Sequence, residues 1–304
     1  MIKLHSCIGA LVFASCVGPV SAQVTWNLTG GAFNNASETS STGATDYYAG
    51  KGNVGGITLN LSAYANTANN VPPTGQSAST AINDQMVEQQ IGGYQSSVGL
   101  RIGINDYGSG VGIVNVDGCG FSYTPSRVAQ TATCDTAEGS APGGALDNDQ
   151  RYEMILLSFG AKVSLTALNL GYVNTDSDMT IMAYTGGGNA LTDLQSGLKT
   201  WSDFGAGGTS ATTAGTLGWK ALANFNGGTD PTGNRTIVSN GIASSYWLIG
   251  AYNPLANPNG GSLTLANDYM KVSSVSGIVP EPGTLALLTA ALLGMAAIRQ
   301  RKSA

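Results

Sequence analysis

Apolar and polar residues alternate along several short stretches of this chain, which is the pattern of a β-strand with one buried face. In residues 57–63 the odd positions are apolar, and in residues 98–105 the even positions are apolar. Three later stretches, residues 179–184, 246–252 and 269–278, also predict strands. Most of the chain is therefore expected to form short strands joined by turns.

The middle of the chain is more apolar than the rest. Residues 152–159 are nearly continuously apolar, which predicts a central strand covered on both faces. Residues 163–173 form a second strand, so residues 160–162 are expected to be a hairpin turn. In this second strand the apolar positions change from odd to even after Ala167, which predicts a β-bulge. One short helix is predicted over residues 190–199, weakened by Gly197.

Many short strands without βαβ alternation predict an all-β fold, a β-sandwich of jelly-roll type. We find no internal repeat, which argues against a β-helix or a propeller. The 304 residues include 43 glycines, only 10% are charged, and the pI is near 4.7. Nucleic acid is not expected as a partner, because no basic patch is present to neutralise phosphates.

The N-terminus has the parts of a secretory signal peptide. Lys3 precedes an apolar segment over residues 8–17, and Val20, Ser21 and Ala22 supply small residues at a cleavage site. Cleavage is expected between Ala22 and Gln23, so residues 1–22 are predicted to be removed. A lipoprotein signal is the alternative, because residues 13–16 resemble a lipobox with an unusual Phe at its first position.

The C-terminus combines an extended segment, an apolar stretch and a basic end. Pro280 and Pro282 fix φ and remove backbone donors, which keeps the chain around Glu281 extended. Residues 283–298 carry no charge, and as a helix they would be roughly 24 Å long, short of a hydrocarbon core of roughly 30 Å. This helix is expected to span the membrane only with help from snorkelling basic side chains. The snorkelling residues would be Arg299 and Arg301. Together with Lys302 they predict a cytoplasmic C-terminus.

The run Val279, Pro280, Glu281 and Pro282, with the apolar and basic residues after it, resembles the PEP-CTERM sorting signal. This resemblance implies recognition and cleavage by an exosortase, a membrane transpeptidase-like enzyme of Gram-negative bacteria. It also implies a precursor anchored in the inner membrane that is then sent to the cell surface or beyond. Residues 23–278 would then be the β-sandwich surface domain, and residues 279–304 the sorting signal with its transmembrane helix.

A second resemblance covers roughly residues 108–278. It is carried by the runs 146–159, 168–172, 176–178, 183–186, 244–254 and 267–269. These runs look like a family of exosortase-dependent surface proteins, which has no established enzymatic activity to transfer. The family's usual Pro-Glu-His before the Asp-Asn pair is replaced here by residues 141–144, Ala-Pro-Gly-Gly, which removes a polar ligand.

The only histidine, His5, lies in the predicted signal peptide. A Ser-His-Asp triad, a Cys-His dyad and a His-ligated metal site are therefore excluded from the mature chain. A glycoside hydrolase needs only two carboxyl groups and stays open as a remote alternative. The acidic residues lie mostly in turns, where they are expected to cap the backbone. We therefore predict that the protein is not an enzyme.

Two cysteines, Cys119 and Cys134, lie outside the predicted signal peptide. An exported chain with a lone cysteine pair predicts a disulfide between them. In the chain-entropy model a loop of this size is stabilised by about 3 kcal/mol.

Calcium is the one cofactor that the sequence suggests. Asp147 and Asp149 precede one predicted central strand, and Asp176 and Asp178 precede another. Oxygen ligands on loops suit Ca²⁺, although the spacing is not that of an EF-hand. The alternative is that these residues only cap turns.

Trp247, on a predicted strand, and Trp219, near a loop, are candidates for stacking on a sugar ring. Aromatic residues in β-sandwiches also serve as core packing, so this alternative stays open.

The prediction is an exported cell-surface or extracellular-matrix protein with a structural, non-enzymatic role. The alternative is a carbohydrate-binding adhesin of the biofilm matrix with exopolysaccharide as its partner, because exosortase systems tend to accompany exopolysaccharide production.

Overall fold

The computed structural model describes the main strands and the turns between them. The described residues are 21–29, 34–39, 45–54, 56–66, 87–89, 103–107, 109–114, 145–148, 151–194, 199–205, 217–230, 233–237, 239–257, 263–265, 268–280, 291, 294 and 295.

Within these residues the chain forms fourteen strands and two short helices. The strands are β1 (Ser21–Asn27), β2 (Asn34–Thr39), β3 (Thr45–Val54), β4 (Ile57–Ala65), β5 (Val87–Gln89), β6 (Gly103–Tyr107), β7 (Gly110–Val114), β8 (Leu146–Asp147), β9 (Glu153–Thr175), β10 (Met179–Tyr184), β11 (Trp219–Phe225), β12 (Gly233–Thr236), β13 (Ser244–Ala251) and β14 (Asp268–Pro280). The helices are α1 (Ala190–Leu194) and α2 (Trp201–Phe204). The predicted all-β class is confirmed.

The 23-residue strand β9 belongs to two sheets. Its front half, residues 153–163, pairs with β4 and β13, and this front sheet continues to β10 and β11 on one side and to β3 and β2 on the other. Its back half, residues 164–175, pairs with β12 and β14, and this back sheet continues to β7 and β6. Both sheets therefore form one hydrogen-bonded network through β9.

The predicted hairpin turn at Gly160, Ala161 and Lys162 is wrong, because these residues continue β9 without a turn. A Cβ on Gly160 would lie 2.5 Å from Thr58 Oγ1, so this glycine allows β4 to approach closely. The break in the apolar pattern at residues 160–162 lies where β9 passes from the front sheet to the back sheet. A hairpin turn would produce the same break in the pattern.

The predicted bulge in the second part of β9 is confirmed. Ser276 pairs with Ala167 while Gly277 pairs with Leu165, so Thr166 is an extra residue on β9. An extra residue reverses the faces of all the side chains that follow it. Apolar residues on both sides of the bulge therefore face the same core.

Both sheets contribute to one inter-sheet core, and a second, outer core covers the opposite face of the front sheet. The inter-sheet core includes Trp26, Leu59, Leu61, Ile155, Leu157, Val163, Leu165, Leu168, Leu170, Ile181, Trp247, Ile249, Met270, Val272 and Val275. The outer core includes Tyr64, Tyr152, Met154, Leu156, Met182, Ala190, Leu194, Trp201, Phe204, Trp219, Ala221, Leu248 and Ala256. The front half of β9 is thus covered on both faces, as its apolar run predicts.

The strands predicted at residues 57–63, 179–184, 246–252 and 269–278 correspond to β4, β10, β13 and β14. Of the stretch 98–105, only the part from Gly103 onward is described, and it begins β6. Helix α1 covers the first half of the predicted helix, and residues 195–198 lie outside the described residues. Helix α2 was not predicted, although Thr200 and Asp203 have capping-box spacing and the Thr200 N–H donates to Asp203 Oδ2 at 2.8 Å.

The body of the chain, Gln23–Val279, is one compact unit. Of the predicted membrane helix over residues 283–298, only residues 291, 294 and 295 are described, and these are helical. Within the described parts of the chain, no helix is long and apolar enough to cross a membrane.

Candidate functional site

Three aspartates lie together where β9 ends and where β10 and β14 begin. Asp176 and Asp178 lie in the turn between β9 and β10, and Asp268 is the first residue of β14. Because β14 pairs with β9, Asp268 lies opposite Thr175 and forms a bridge with Asp176. One carboxylate oxygen from each aspartate lies within 4.8 Å of the others. We call these three residues the aspartate cluster.

Asp268 is fully buried and is held by neighbours on two other segments. Its Oδ1 accepts a hydrogen bond from the Asp178 N–H at 2.8 Å, and its Oδ2 accepts one from Asn148 Nδ2. The Asn148 side chain also accepts from the Asp268 N–H at 3.2 Å. Burial, together with the charges of Asp178 and Asp176, raises the pKa of Asp268 to about 8. The charged form of this carboxyl group is therefore costly in the protein alone.

Asp178 is 2% exposed, and its Oδ1 is buried without a hydrogen-bond partner. Burial and the nearby Asp176 raise its pKa, and backbone hydrogen bonds from Thr264 and Gly227 lower it. Gly227 is needed for this approach, because a Cβ there would lie 2.0 Å from the Ser177 carbonyl oxygen. The backbone thus holds the Asp178 carboxylate in place and leaves one oxygen available.

The structure brings together only part of the predicted calcium set. Asp176 and Asp178 belong to the aspartate cluster, whereas Asp147 is buried on β8 and is not part of it. Asp149 lies outside the described residues. Asp268 was missed, because no spacing rule links it to residues 90 positions earlier in the chain. Its place at the start of a predicted strand was the available signal.

The proposed sugar-stacking residues do not present their rings to solvent. Trp247 is fully buried on β13, and its Nε1 donates to the carbonyl oxygens of Val163 and Ser244 at 3.1 and 3.0 Å. Trp219 is fully buried on β11, with its ring centroid 5.5 Å from that of Tyr184. The interpretation of either tryptophan as an exposed platform is therefore wrong, because both are core residues.

The sorting segment begins inside the last strand of the body. Strand β14 extends to Pro280, and Val279 is 9% exposed and packs in the inter-sheet core. At the other end, Ala22 and Gln23 are exposed near the start of β1.

Several predicted site residues lie outside the described residues. These are Glu281, Pro282, Arg299, Arg301, Lys302, Cys119 and Cys134. Cleavage after Ala22 and the Cys119–Cys134 disulfide stay predictions.

Comparison with known proteins identifies the C-terminal segment. Residues 279–302 match the PEP-CTERM protein-sorting motif. No curated protein and no solved structure matches the chain. The PEP-CTERM resemblance is thus confirmed for the tail, and it implies export and exosortase processing. The similarity suggested for residues 108–278 stays a prediction.

Proposed function

We propose that this chain is an exported surface or matrix protein with a structural, non-enzymatic role, cleaved by an exosortase within its C-terminal motif. The observation that carries the proposal is the match of residues 279–302 to the PEP-CTERM motif. The motif follows the folded body directly, because β14 ends at Pro280.

The position of the motif limits where cleavage can leave the body intact. Val279 packs in the inter-sheet core, and Ile278 is the last β14 residue that pairs with β9. A cut after Val279 therefore keeps every one of these β9 pairings, whereas a cut before it removes a core side chain. We infer that the processed bond lies C-terminal to Val279.

The chemistry of the body supports a role without catalysis. The single histidine of the chain is His5, within the predicted signal peptide. A glycosidase places its two carboxyl groups on either side of a sugar-binding cleft. In the aspartate cluster, Asp178 and Asp268 are buried, and this suits a structural role better.

The test is mass spectrometry of the C-terminal peptide of protein from native cells, with and without the host exosortase. We expect a terminus between Val279 and Pro282 that depends on the enzyme, and the processed protein in the surface or matrix fraction. A chain ending at Ala304 in both strains would overturn the proposed cleavage.

A matched pair of proline substitutions tests the motif itself. Pro282→Ala alters the motif and is expected to leave the precursor uncut. Pro254→Ala changes a proline of the body after β13 and is expected to be processed normally. Equal processing of both variants would contradict recognition through the Pro-Glu-Pro run.

A further inference from the structure

The aspartate cluster has the composition and spacing of a cation site. Ca²⁺ takes six to eight oxygen ligands at roughly 2.3–2.6 Å. Two oxygens bound to one such ion are therefore at most about 5 Å apart. One carboxylate oxygen from each of Asp176, Asp178 and Asp268 lies within 4.8 Å of the other two, which is within this limit for each pair.

The cluster contains a buried oxygen that nothing else in the described structure uses. Asp178 Oδ1 has no hydrogen-bond partner, although the residue is only 2% exposed. Leaving a buried polar atom unpaired costs about 1–3 kcal/mol, and more for a charged group. An ion bound between the three carboxylates would satisfy this atom.

The cluster brings three acidic side chains together, and two of them are buried. Burial and the charge of Asp176 raise the pKa of Asp178, and burial and the charges of Asp178 and Asp176 raise the pKa of Asp268. A divalent cation would remove this repulsion.

The surrounding contacts hold the carboxylates in fixed positions. The Asn148 side chain is hydrogen-bonded to Asp268 through both its oxygen and its Nδ2. Its Nδ2 also donates to the carbonyl oxygen of Tyr252 at 3.1 Å. The Asp178 carbonyl oxygen accepts from the Tyr252 N–H at 2.9 Å, and the Asp176 carbonyl oxygen accepts from the Tyr269 N–H at 3.1 Å. Ligands fixed in this way lose little freedom when an ion binds.

We propose that Asp176, Asp178 and Asp268 bind one calcium ion that ties the end of β9 to the start of β14. Calcium suits the site better than magnesium, because Mg²⁺ requires near-ideal octahedral geometry at about 2.1 Å and usually keeps several waters. The positions of these three carboxylates are set by the fold, and Ca²⁺ accepts irregular ligand positions more readily than Mg²⁺ does. The site does not depend on exosortase processing, since all three ligands belong to the body.

The experiment is thermal unfolding of the full chain recovered from its host, stripped with EGTA and then titrated with CaCl₂. At one hundred times Kd, calcium is expected to raise Tm by roughly 5–10 °C. MgCl₂ at the same concentration is expected to produce a much smaller rise. No rise with calcium, or an equal rise with magnesium, overturns the proposal.

Two variants separate metal binding from a merely structural role. Asp178→Asn and Asp176→Asn keep the side-chain shape and are expected to abolish the calcium shift. In EGTA, Asp176→Asn is expected to be at least as stable as the unsubstituted chain, because one repelling charge is gone. Asp176 is only half-buried, so this variant is expected to fold even if Asp178→Asn does not.

Asp193→Asn is the control, because this acid lies on α1, outside the cluster. It is expected to keep the full calcium shift. A shift that persists in Asp176→Asn, or that disappears in Asp193→Asn, would contradict binding at the aspartate cluster.

Discussion

The two halves of β9 belong to one strand but lie in different surroundings. In the front half, the five consecutive residues 153–157 are all buried, because the inter-sheet core covers one face and the outer core covers the other. In the back half, Leu165 and Ala167 are buried while Ser164 and Thr166, which alternate with them, are partly exposed. The apolar pattern of a strand therefore reports how many of its faces are covered, and not where the chain turns.

The largest expected effect is on neighbouring leucines of the front half. Leu156→Ala opens a cavity in the outer core and Leu157→Ala opens one in the inter-sheet core, and both residues are at most 1% exposed. Each variant is expected to lower the free energy of unfolding by about 2–5 kcal/mol, measured by denaturant titration. A cost below about 1 kcal/mol for one of the two would show that the corresponding face is not a packed core.

A glycine in the back half of β9 lies against a neighbouring backbone. A Cβ on Gly171 would lie 1.8 Å from the Ser109 carbonyl oxygen, which is backbone and cannot rotate away. Gly171→Ala is expected to cost about 1–3 kcal/mol in thermal or denaturant unfolding. The control is Gly160→Ala, where the Cβ meets the Thr58 hydroxyl group, a side chain able to move. A smaller loss for Gly171→Ala than for Gly160→Ala would refute this ranking.

A polar contact on the back half is expected to contribute less. Asn169 Nδ2 donates to Ser274 Oγ at 2.9 Å between β9 and β14, in a partly buried position. Asn169→Ala is expected to cost about 1 kcal/mol. In a double-mutant cycle with Ser274→Ala the two losses should not add, because both remove the same hydrogen bond. Strict additivity would mean that the contact is not formed in solution.

The smallest effect is expected at the partly exposed positions between the buried residues of the back half. Ser164→Ala is expected to change the free energy of unfolding by no more than about 0.5 kcal/mol. Leu165→Ala is the adjacent comparison, with an expected loss of about 2–5 kcal/mol because Leu165 is fully buried. Similar losses at the two positions would remove the distinction between the halves.

Much of this fold follows from local pattern. The strands β4, β10, β13 and β14 and the bulge in β9 were predicted, because alternation and its phase depend on residues close in sequence. The passage of β9 between sheets was not predicted, since it depends on strands such as β4 that lie far away in the chain. Trp219 and Trp247 were misjudged for a similar reason, because burial on a strand depends on what covers each face.

The functional assignments also differ in whether they depend on neighbouring residues or on residues far apart in the chain. The sorting motif is contiguous, so residues 279–302 are recognisable from sequence alone. The aspartate cluster is assembled by the pairing of β14 with β9, and only its two near neighbours, Asp176 and Asp178, were found from spacing. Asp268 becomes visible once the register is known.

The first and last strands of the body, β1 and β14, are hydrogen-bonded neighbours. In the proposed membrane-anchored precursor, a force on the C-terminal segment would reach the body through Pro280 and act along the length of β14. The hydrogen bonds of an antiparallel pair run perpendicular to the strands, so those between β14 and β9 are loaded together and not one after another. In such a precursor, these hydrogen bonds would together oppose a force on this end of β14 in shear.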